Sequence, residues 1–441
     1  MTSPDDPRPG GKQERPRYRP LVGLLAANVI SVLGGAMSLV ALPWFVFNTT
    51  GSAALTGIAA AGETVPVVVV SVVAGGIVAR VGARRARVGS DSVAGVTVLA
   101  IPLLHATVGL AYWQLLLLVA VNGALRTPAV AASMVMLREL TSLAGLAGDQ
   151  TTGPYTASIR LAATLGTPAA GVLIASIGAP SALVVDAVTF LVSAGLILLL
   201  VPAAPVGRRS GATRVEPPGE SHLTTGFRTL REDTMLLTLT VFAVVLAAMA
   251  AGWNSVGAPV YGRTVLSSSV QLGVVLGVFG AGALLGNLAY PPLSRRLSRY
   301  AILIAALVCA GPLPWIGLAL HPPLAVLLVT MTFAGLGLGA LGPLYLSLQY
   351  TRVAPEEHAH LFGLTFGLQT AGEAVGAVLA GLAFTYLTMQ QTLFDMAAIT
   401  ATLVPAAVLT SSLRPLRDGN ASTANKPTNA LGTTEEPVGG R

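Results

Sequence analysis

The chain has 441 residues, of which 53% are apolar and only 10% are charged, with 26 Lys and Arg against 19 Asp and Glu. A soluble domain has roughly 25% charged residues, so this composition excludes a soluble enzyme, a nucleic-acid-binding protein and a disordered scaffold. The single cysteine, Cys309, excludes a disulfide framework and a cysteine-built metal site. The composition therefore predicts a protein whose main partner is the lipid bilayer.

Apolar stretches of about 20 residues, the length that crosses the hydrocarbon of a bilayer, recur along the chain. Six precede a polar interval, at roughly 21–47, 54–79, 92–111, 113–137, 155–177 and 181–202. Six more follow it, at roughly 235–258, 270–290, 300–320, 323–346, 361–386 and 391–412. We predict an all-α integral membrane protein with twelve transmembrane helices in two six-helix bundles, 20–202 and 233–413, joined by a cytoplasmic linker at 203–232. The tails, 1–19 and 414–441, are polar and are predicted to be disordered.

The basic residues predict how the spans are oriented, because loops rich in Lys and Arg stay on the cytoplasmic side. If the N-terminus is cytoplasmic, 23 of the 26 basic residues fall in cytoplasmic segments, including Arg80, Arg84, Arg85 and Arg87 in one loop. The segments on the other side contain only Arg263. An odd number of spans would destroy this alternation. We therefore predict a multi-pass protein of the cell (cytoplasmic) membrane with both termini in the cytoplasm.

The two halves of the chain share a weak internal repeat. Gly166 and Gly171 in the fifth span match Gly376 and Gly381 in the eleventh span at an offset of 210 residues. Parallel six-helix repeats are typical of secondary transporters, whose substrate sites lie between the halves near the middle of the membrane. Chance matching of glycine-rich helices is the alternative explanation. The repeat favours two pseudo-symmetric bundles around a central site.

The loop after the second span carries a motif in residues 75–85, GGIVARVGARR. It resembles the signature loop of the major facilitator superfamily, G-x-x-x-D-R-x-G-R-R/K, at Gly75, Arg80, Gly82 and Arg84. Arg85 extends the basic end of the motif. The match identifies this loop as a candidate gate between two conformations.

Two departures from the motif bear on its role. Ala79 stands where the family has an Asp that helps to latch one closed state, and Ala83 replaces a basic residue. Asp91, a few residues further on, is our candidate for part of the latch. Stretches in the first and sixth spans, 31–44 and 186–190, are similar to the exporter branch that includes macrolide efflux proteins and the enterobactin exporter.

The resemblance implies a fold and a mode of action. Members of the family are secondary transporters in which two six-helix bundles rock about a central site, and helices one, four, seven and ten line the cavity. It implies a monomer without a cofactor, a metal ion or enzymatic activity, whose partners are a small-molecule substrate, coupling protons and the bilayer. The chain also has no G-x-x-x-x-G-K-[ST] phosphate loop, which argues against ATP hydrolysis by that route.

Four ionisable residues lie well inside the predicted spans: Glu63, Arg126, Arg160 and Glu373. Such residues are costly within a bilayer and mark candidate functional sites. The two carboxyl groups are candidates for carrying the coupling proton and attracting a cationic substrate. Arg126 is a candidate for binding an anionic group of the substrate, since its guanidinium offers five donors. The alternative is that these residues form permanent ion pairs between helices.

Amide and aromatic residues supply candidates for the wall of the cavity. Asn28, Asn122, Trp253 and Asn254 fall on helices one, four and seven, which line the cavity in the family. Trp253 is equally suited to anchoring its helix at the membrane interface. Asp186, in the sixth span, is interpreted as a structural cap.

These features predict a secondary active transporter that exports a small amphipathic drug or natural product in exchange for protons by alternating access. Export of a siderophore or another metabolite is one alternative, and an uptake symporter is another. A non-transporting membrane receptor or scaffold is the alternative from a different class. Ala79 in the signature loop favours that last alternative, whereas the lack of a large soluble domain argues against it.

Overall fold

The computed structural model describes residues 18–146, 148–202, 220–354 and 357–416. Within these ranges the chain is helical and contains no β-strand. A backbone in hydrocarbon must satisfy its own N–H and C=O groups, and an α-helix does so within one segment. The N-terminal half forms five helices: α1 (Arg19–Thr50), α2 (Ala53–Val81), α3 (Ala83–Thr107), α4 (Tyr112–Leu143) and α5 (Gly148–Leu200).

The C-terminal half begins with a short helix, α6 (Glu220–Glu232). The next long span starts with α7 (Thr234–Gly252) and continues through π-helical turns at Trp253–Gly257 and Gly262–Leu266, on either side of α8 (Ala258–Tyr261). The other helices are α9 (Ser269–Leu293), α10 (Arg299–Ala310), α11 (Pro312–Ala319), α12 (Leu324–Arg352), α13 (His358–Tyr386), α14 (Met389–Ala401) and α15 (Leu403–Leu409), followed by a 3-10 helix at Ser411–Leu416.

Eleven helices in the described ranges are long and apolar enough to cross a membrane. The run α5 contains two of the predicted spans, because Gly178 interrupts it with φ 82° and ψ 159°. This positive φ is readily accessible only to glycine. Gly166 packs beside Ala36 of α1, whereas Leu200 packs beside Gly23 near the start of α1. The chain therefore reverses direction at Gly178 without a loop, and α5 has two arms.

The helices pack into two bundles. In the first, α1 lies against both arms of α5, α2 packs on α4, and α3 packs on α4 and α5. In the second, α9 packs on α12, α7 on α13 and α11 on α14. Gly335 and Gly339 of α12 approach α9 so closely that a Cβ would overlap the carbonyl oxygens of Phe279 and Ala283. Small residues thus allow backbone-to-backbone contact between membrane helices.

The bundles meet along two helix pairs, α2 with α13 and α5 with α9. Gly57 of α2 packs against Gly381 of α13, and Gly171 of α5 packs against Gly273 of α9. We call these two glycine contacts the distal seam, since both lie near the helix ends remote from the chain termini. The distal seam joins the bundles in the conformation described.

Arg87 corrects the sequence-based loop boundary. It was counted in the basic loop after the second span, but it lies within α3 and is only 4% exposed. The reason is the shortness of the turn, since Gly82 alone separates α2 from α3, with φ 90°. The turn is possible because glycine tolerates a positive φ.

The linker and the tails are described only in part. Helix α6 forms the end of the linker predicted at 203–232, and residues 203–219 lie outside the described ranges. The predicted disordered tails lie mostly outside those ranges too. At their inner edges, Arg19 begins α1 and Ser411–Leu416 forms a 3-10 helix in which Leu416 is buried. Ordered structure therefore extends slightly into both predicted tails.

Candidate functional site

A cavity of about 490 Å³ lies between the two bundles. Residues of α1, α2 and α4 line it from the N-terminal bundle, and residues of α7, α10, α12 and α13 line it from the other. Most of the wall is apolar, and the polar side chains on it include Ser38, Glu63, Arg126, Tyr345, Gln369 and Glu373. An apolar wall with a few polar groups is typical of a small-molecule site.

Three of the four predicted ionisable residues line this cavity. Glu63 comes from α2 and Arg126 from α4, whereas Glu373 comes from α13 in the opposite bundle. Arg126 interacts electrostatically with both carboxylates. Among the described residues, none of the ion pairs or side-chain hydrogen bonds fixes any of the three side chains. One guanidinium therefore interacts with two carboxylates, one from each bundle.

Gly123 explains how Glu63 and Arg126 come together. A Cβ at Gly123 would overlap the carbonyl oxygen of Glu63, so glycine allows α4 to touch α2 at this level. Arg126 lies three residues further along α4, on the same face of the helix. The contact at Gly123 thus places the two charged side chains on adjacent helices at the same depth.

The fourth ionisable residue and two of the wall candidates are placed differently. Arg160 lies on α5, and its side chain is outside the described residues. Asn254 lines the cavity. Trp253, contrary to expectation, is 6% exposed and packs edge-on against Tyr261 and Trp315 inside the C-terminal bundle. Consecutive residues on a helix point about 100° apart, and here only Asn254 of the two reaches the cavity wall.

The two other asparagines also differ from the expectation that they line the cavity. Asn28 is buried within the N-terminal bundle, where its Oδ1 accepts a hydrogen bond of 3.3 Å from Ser133 Oγ. Asn122 is half-buried on α4 and is not among the described residues that form the cavity wall. Asn28 is therefore directed toward the neighbouring helix α4 rather than the cavity.

The signature loop lies at the end of α2 that is remote from the distal seam. Gly75 and Arg80 are exposed on the last turns of α2, and Arg85 is exposed at the start of α3. Gly82 forms the turn between the two helices. No atom lies within 4 Å of a Cβ built at Gly75, so this face of α2 is open. The described contacts therefore do not bury the motif against the second bundle.

The charges next to the signature loop are engaged within the N-terminal bundle. Arg84 Nη2 donates a hydrogen bond of 2.7 Å to the carbonyl oxygen of Leu198, near the end of α5. Asp91, the candidate for part of the latch, is buried and pairs with Arg87 at 2.8 Å from Nε to Oδ2. Ser193 Oγ donates a second hydrogen bond of 2.7 Å to Asp91. Asp91 is therefore a buried structural ion pair in this conformation rather than a free latch.

Sequence reasoning missed the role of Asp186. Its side chain does not cap a helix, as we expected, but accepts a hydrogen bond from Ser38 Oγ of α1. Ser38 lines the cavity, so Asp186 is connected to the cavity through one hydroxyl group. The signal was available in the sequence, since a carboxyl group in an apolar span is a functional-site candidate by default.

The arrangement of the cavity favours the binding of positive charge. Two carboxylates and one guanidinium leave a net negative charge when all three are ionised, and an apolar wall strengthens the attraction for a cation. The described residues contain no cluster of His, Cys, Asp and Glu suited to a metal ion. A proton or an organic cation fits this group of side chains.

Comparison with known proteins agrees with this architecture. The model of the Major Facilitator Superfamily matches residues 24–377 and 240–434. The chain is 30% identical over 366 residues to the multidrug efflux pump Tap of Mycolicibacterium fortuitum, which covers 82% of this chain and 88% of the relative. It is also 30% identical over 365 residues to Tap of Mycobacterium tuberculosis (strain ATCC 25618 / H37Rv), covering 81% and 85% of the two chains.

Solved structures show the same fold. The nucleoside transporter NupG matches with a TM-score of 0.75 at 15% identity, covering 88% of this chain and 98% of that chain. A bacterial homologue of the human lysosomal transporter Spinster matches with a TM-score of 0.62 at 16% identity, covering 93% and 95%. These likenesses confirm the predicted twelve-helix fold class and carry no information on substrate. Together with the sequence relatives, they establish that the chain belongs to the Major Facilitator Superfamily and is a membrane transporter rather than an enzyme.

Proposed function

We propose that this protein exports small amphipathic cations in exchange for protons by alternating access. The observation that carries the proposal is that Arg126 lines one cavity together with two carboxylates, Glu63 and Glu373, that belong to opposite bundles. One guanidinium cannot neutralise two carboxylates, so the cavity favours one additional positive charge. A proton and a cationic substrate meet the same need and therefore compete for the same groups.

Competition of this kind produces exchange. A cationic substrate binds when the carboxylates of Glu63 and Glu373 are ionised, and protonation of either one removes the charge that holds it. Because the two residues belong to opposite bundles, the charge between them also affects how closely the bundles approach. Binding of the proton and of the substrate is thereby linked to the rocking motion.

The apolar wall supports an amphipathic substrate. Leu42, Phe242, Leu246 and Leu307 face the cavity, and each square ångström of apolar surface that they remove from water contributes about 25 cal/mol. The relatives with 30% identity are described as multidrug efflux pumps, which supports drug-like compounds as the substrate class.

The predicted orientation indicates the side from which the cavity is accessible. If both termini are cytoplasmic, as 23 of the 26 basic residues indicate, the distal seam closes the extracellular side. The cavity then receives substrate from the cytoplasm or the inner leaflet. Separation of the distal seam, together with closure near the signature loop, would release the substrate outside.

Transport in proteoliposomes tests the proposal. The purified protein is reconstituted, a pH gradient is imposed, and movement of ethidium, an amphipathic cation, is followed by fluorescence. We expect the gradient to drive ethidium movement in the natural protein, and we expect Glu63→Gln and Glu373→Gln each to reduce it at least tenfold. The matched control is Glu232→Gln, because the Glu232 side chain on α6 is 70% exposed and distant from the cavity.

Two outcomes would reject the proposal. The first is gradient-driven ethidium movement that remains undiminished in both Gln variants of the cavity. The second is an equal loss in the Glu232→Gln control, which would indicate a general effect of removing a carboxylate. An anionic dye of similar size checks the charge preference, and we expect the natural protein not to move it.

A further inference from the structure

Asp186 is a buried carboxyl group that the proposed exchange at Glu63 and Glu373 does not use. It lies on the second arm of α5 and is 0% exposed. Its partners are hydroxyl groups, Ser38 Oγ of α1 and, at 3.4 Å, Thr189 Oγ1 of α5. A Cβ at Gly34 of α1 would overlap Asp186 Oδ1 and Thr189 Oγ1. Glycine at position 34 therefore makes the space in which the carboxyl group sits.

The charged groups around Asp186 do not include a cation paired with it in the described part of the chain. From α3, Arg87 is engaged by Asp91 and Ser193. Ser193 lies seven residues beyond Asp186, or about 10 Å along the helix. Helix α4 contributes Arg126, whose charge acts on Glu63 and Glu373. The packed segments of α1 and α9 contribute no charged side chain at this level.

The carboxyl group of α2, Glu63, does act on Asp186. The two carboxylates interact electrostatically although they belong to different helices. Two carboxylates repel each other when both are ionised, so a proton on one relieves the repulsion on the other. A buried carboxylate without a paired cation is also costly in a membrane protein. A proton is the positive charge that fits the enclosed space beside Ser38.

We propose that Asp186 is a second proton-binding site, connected to the cavity through the Ser38 hydroxyl and exchanging its proton in step with Glu63. This inference rests on the proposed proton-coupled export. In the uptake step, the Ser38 O–H bond breaks as its proton passes to Asp186 Oδ2. A new O–H bond forms on Ser38 Oγ with a proton from hydronium in the cavity, which leaves as water. Release follows the reverse sequence.

Coupling between Asp186 and Glu63 gives the pair a definite role. When Glu63 is ionised to hold a cationic substrate, its charge favours the protonated form of Asp186. When Glu63 receives a proton, that repulsion disappears and Asp186 can release its own proton through Ser38. Asp186 is thus a positioning residue that acts through Glu63, and it carries a proton without contacting the substrate.

Infrared difference spectroscopy tests the inference directly on the purified, reconstituted protein. A pH jump is applied, and the C=O stretching band of protonated carboxyl groups is recorded. We expect Asp186→Asn to remove one component of this band and Ser38→Ala to shift that component, because the variant loses the hydrogen bond to Asp186. Asp395→Asn is the matched control, since Asp395 is exposed on α14, and its spectrum should equal that of the natural protein.

Transport measurements complete the test. Asp186→Asn should lower the number of protons moved per ethidium while ethidium still moves down its own gradient. A band unchanged in Asp186→Asn would overturn the inference. If Asp186→Asn fails to fold, the infrared spectrum of Ser38→Ala is the test instead. An unshifted carboxyl band in that variant also overturns the inference. Failure of the proposed export appears separately, as a natural protein that does not couple ethidium to protons.

Discussion

The interiors of the two bundles are held together by different chemistry. In the N-terminal bundle, buried Arg87 binds Asp91 and also donates a hydrogen bond of 2.8 Å to Ser133 Oγ. In the C-terminal bundle, Trp253 packs against aromatic rings, and glycines such as Gly335 bring α12 against α9. The ion pair between Arg352 and Asp233 lies near the edge of that bundle rather than in its centre.

This difference shows that a repeated fold does not require a repeated interior. Both bundles use close backbone approach at glycines, but the N-terminal bundle adds a buried ion pair whereas the C-terminal bundle adds aromatic packing. The charged bundle also supplies Glu63 and Arg126 to the cavity, whereas the other supplies Glu373 and much of the apolar wall. The N-terminal bundle thus supplies two of these three charged groups and the C-terminal bundle supplies the third.

The largest expected effect on the stability of the protein comes from a substitution in the N-terminal bundle. Arg87→Leu leaves Asp91 as an uncompensated buried charge, which costs about 3–5 kcal/mol of the free energy of unfolding. Thermal unfolding of the detergent-solubilised protein should show this loss. In the double variant Arg87→Leu, Asp91→Leu most of the stability should return, because no unpaired charge is left. A double variant that is no more stable than Arg87→Leu would show that the unpaired charge of Asp91 is not the cause of the loss.

A smaller effect is expected in the C-terminal bundle. Gly335→Ala places a Cβ against the carbonyl oxygen of Phe279, and overpacking of this kind costs about 1–3 kcal/mol. Gly342→Ala, on the same helix, is the matched control, because no atom lies within 4 Å of its added Cβ. Alanine also has the higher helix propensity, so the control should unfold at an equal or higher temperature. Equal losses in both variants would contradict the role of close helix contact.

The smallest effect concerns the edge of the C-terminal bundle. Asp233 caps α7 by accepting hydrogen bonds from the backbone N–H groups of Met235 and Leu236, and it also pairs with Arg352. Loss of a cap costs about 1 kcal/mol, and a partly exposed ion pair contributes about 1 kcal/mol or less. Asp233→Ala should therefore lower the unfolding temperature more than Arg352→Ala.

Asp233→Asn separates the two contributions. Asparagine keeps an oxygen that can cap α7 but removes the negative charge, so this variant should resemble Arg352→Ala in its unfolding temperature. If it resembles Asp233→Ala instead, the ion pair is the larger contribution and the cap the smaller.

Much of the fold was predictable because a membrane imposes simple rules. A spanning helix needs about 20 apolar residues, and an ionisable residue within it is rare enough to be noticed. These two rules predicted the spans and brought Glu63, Arg126 and Glu373 to attention. The structure places all three around one cavity. Their roles in proton and substrate binding stay predictions until transport is measured.

The buried partners could not be predicted, because they are far apart in the sequence. Arg87 looked like a loop residue, and its partner Ser133 is 46 residues away on another helix. Asp186 meets Ser38 across a separation of 148 residues. Trp253 stands where a π-helical turn begins, and such a turn changes which side chains face the cavity. None of these arrangements follows from local hydrophobic periodicity.

The reversal at Gly178 has a mechanical consequence. The arm of α5 before it carries Gly171 of the distal seam, and the arm after it carries Asp186. A single residue joins the two arms, so no flexible loop separates them. When the distal seam separates, a movement of the first arm therefore moves the second arm as well. Helix α1 lies against both arms. Separation of the distal seam would therefore reach the hydroxyl of Ser38 and its buried acid through one continuous stretch of chain.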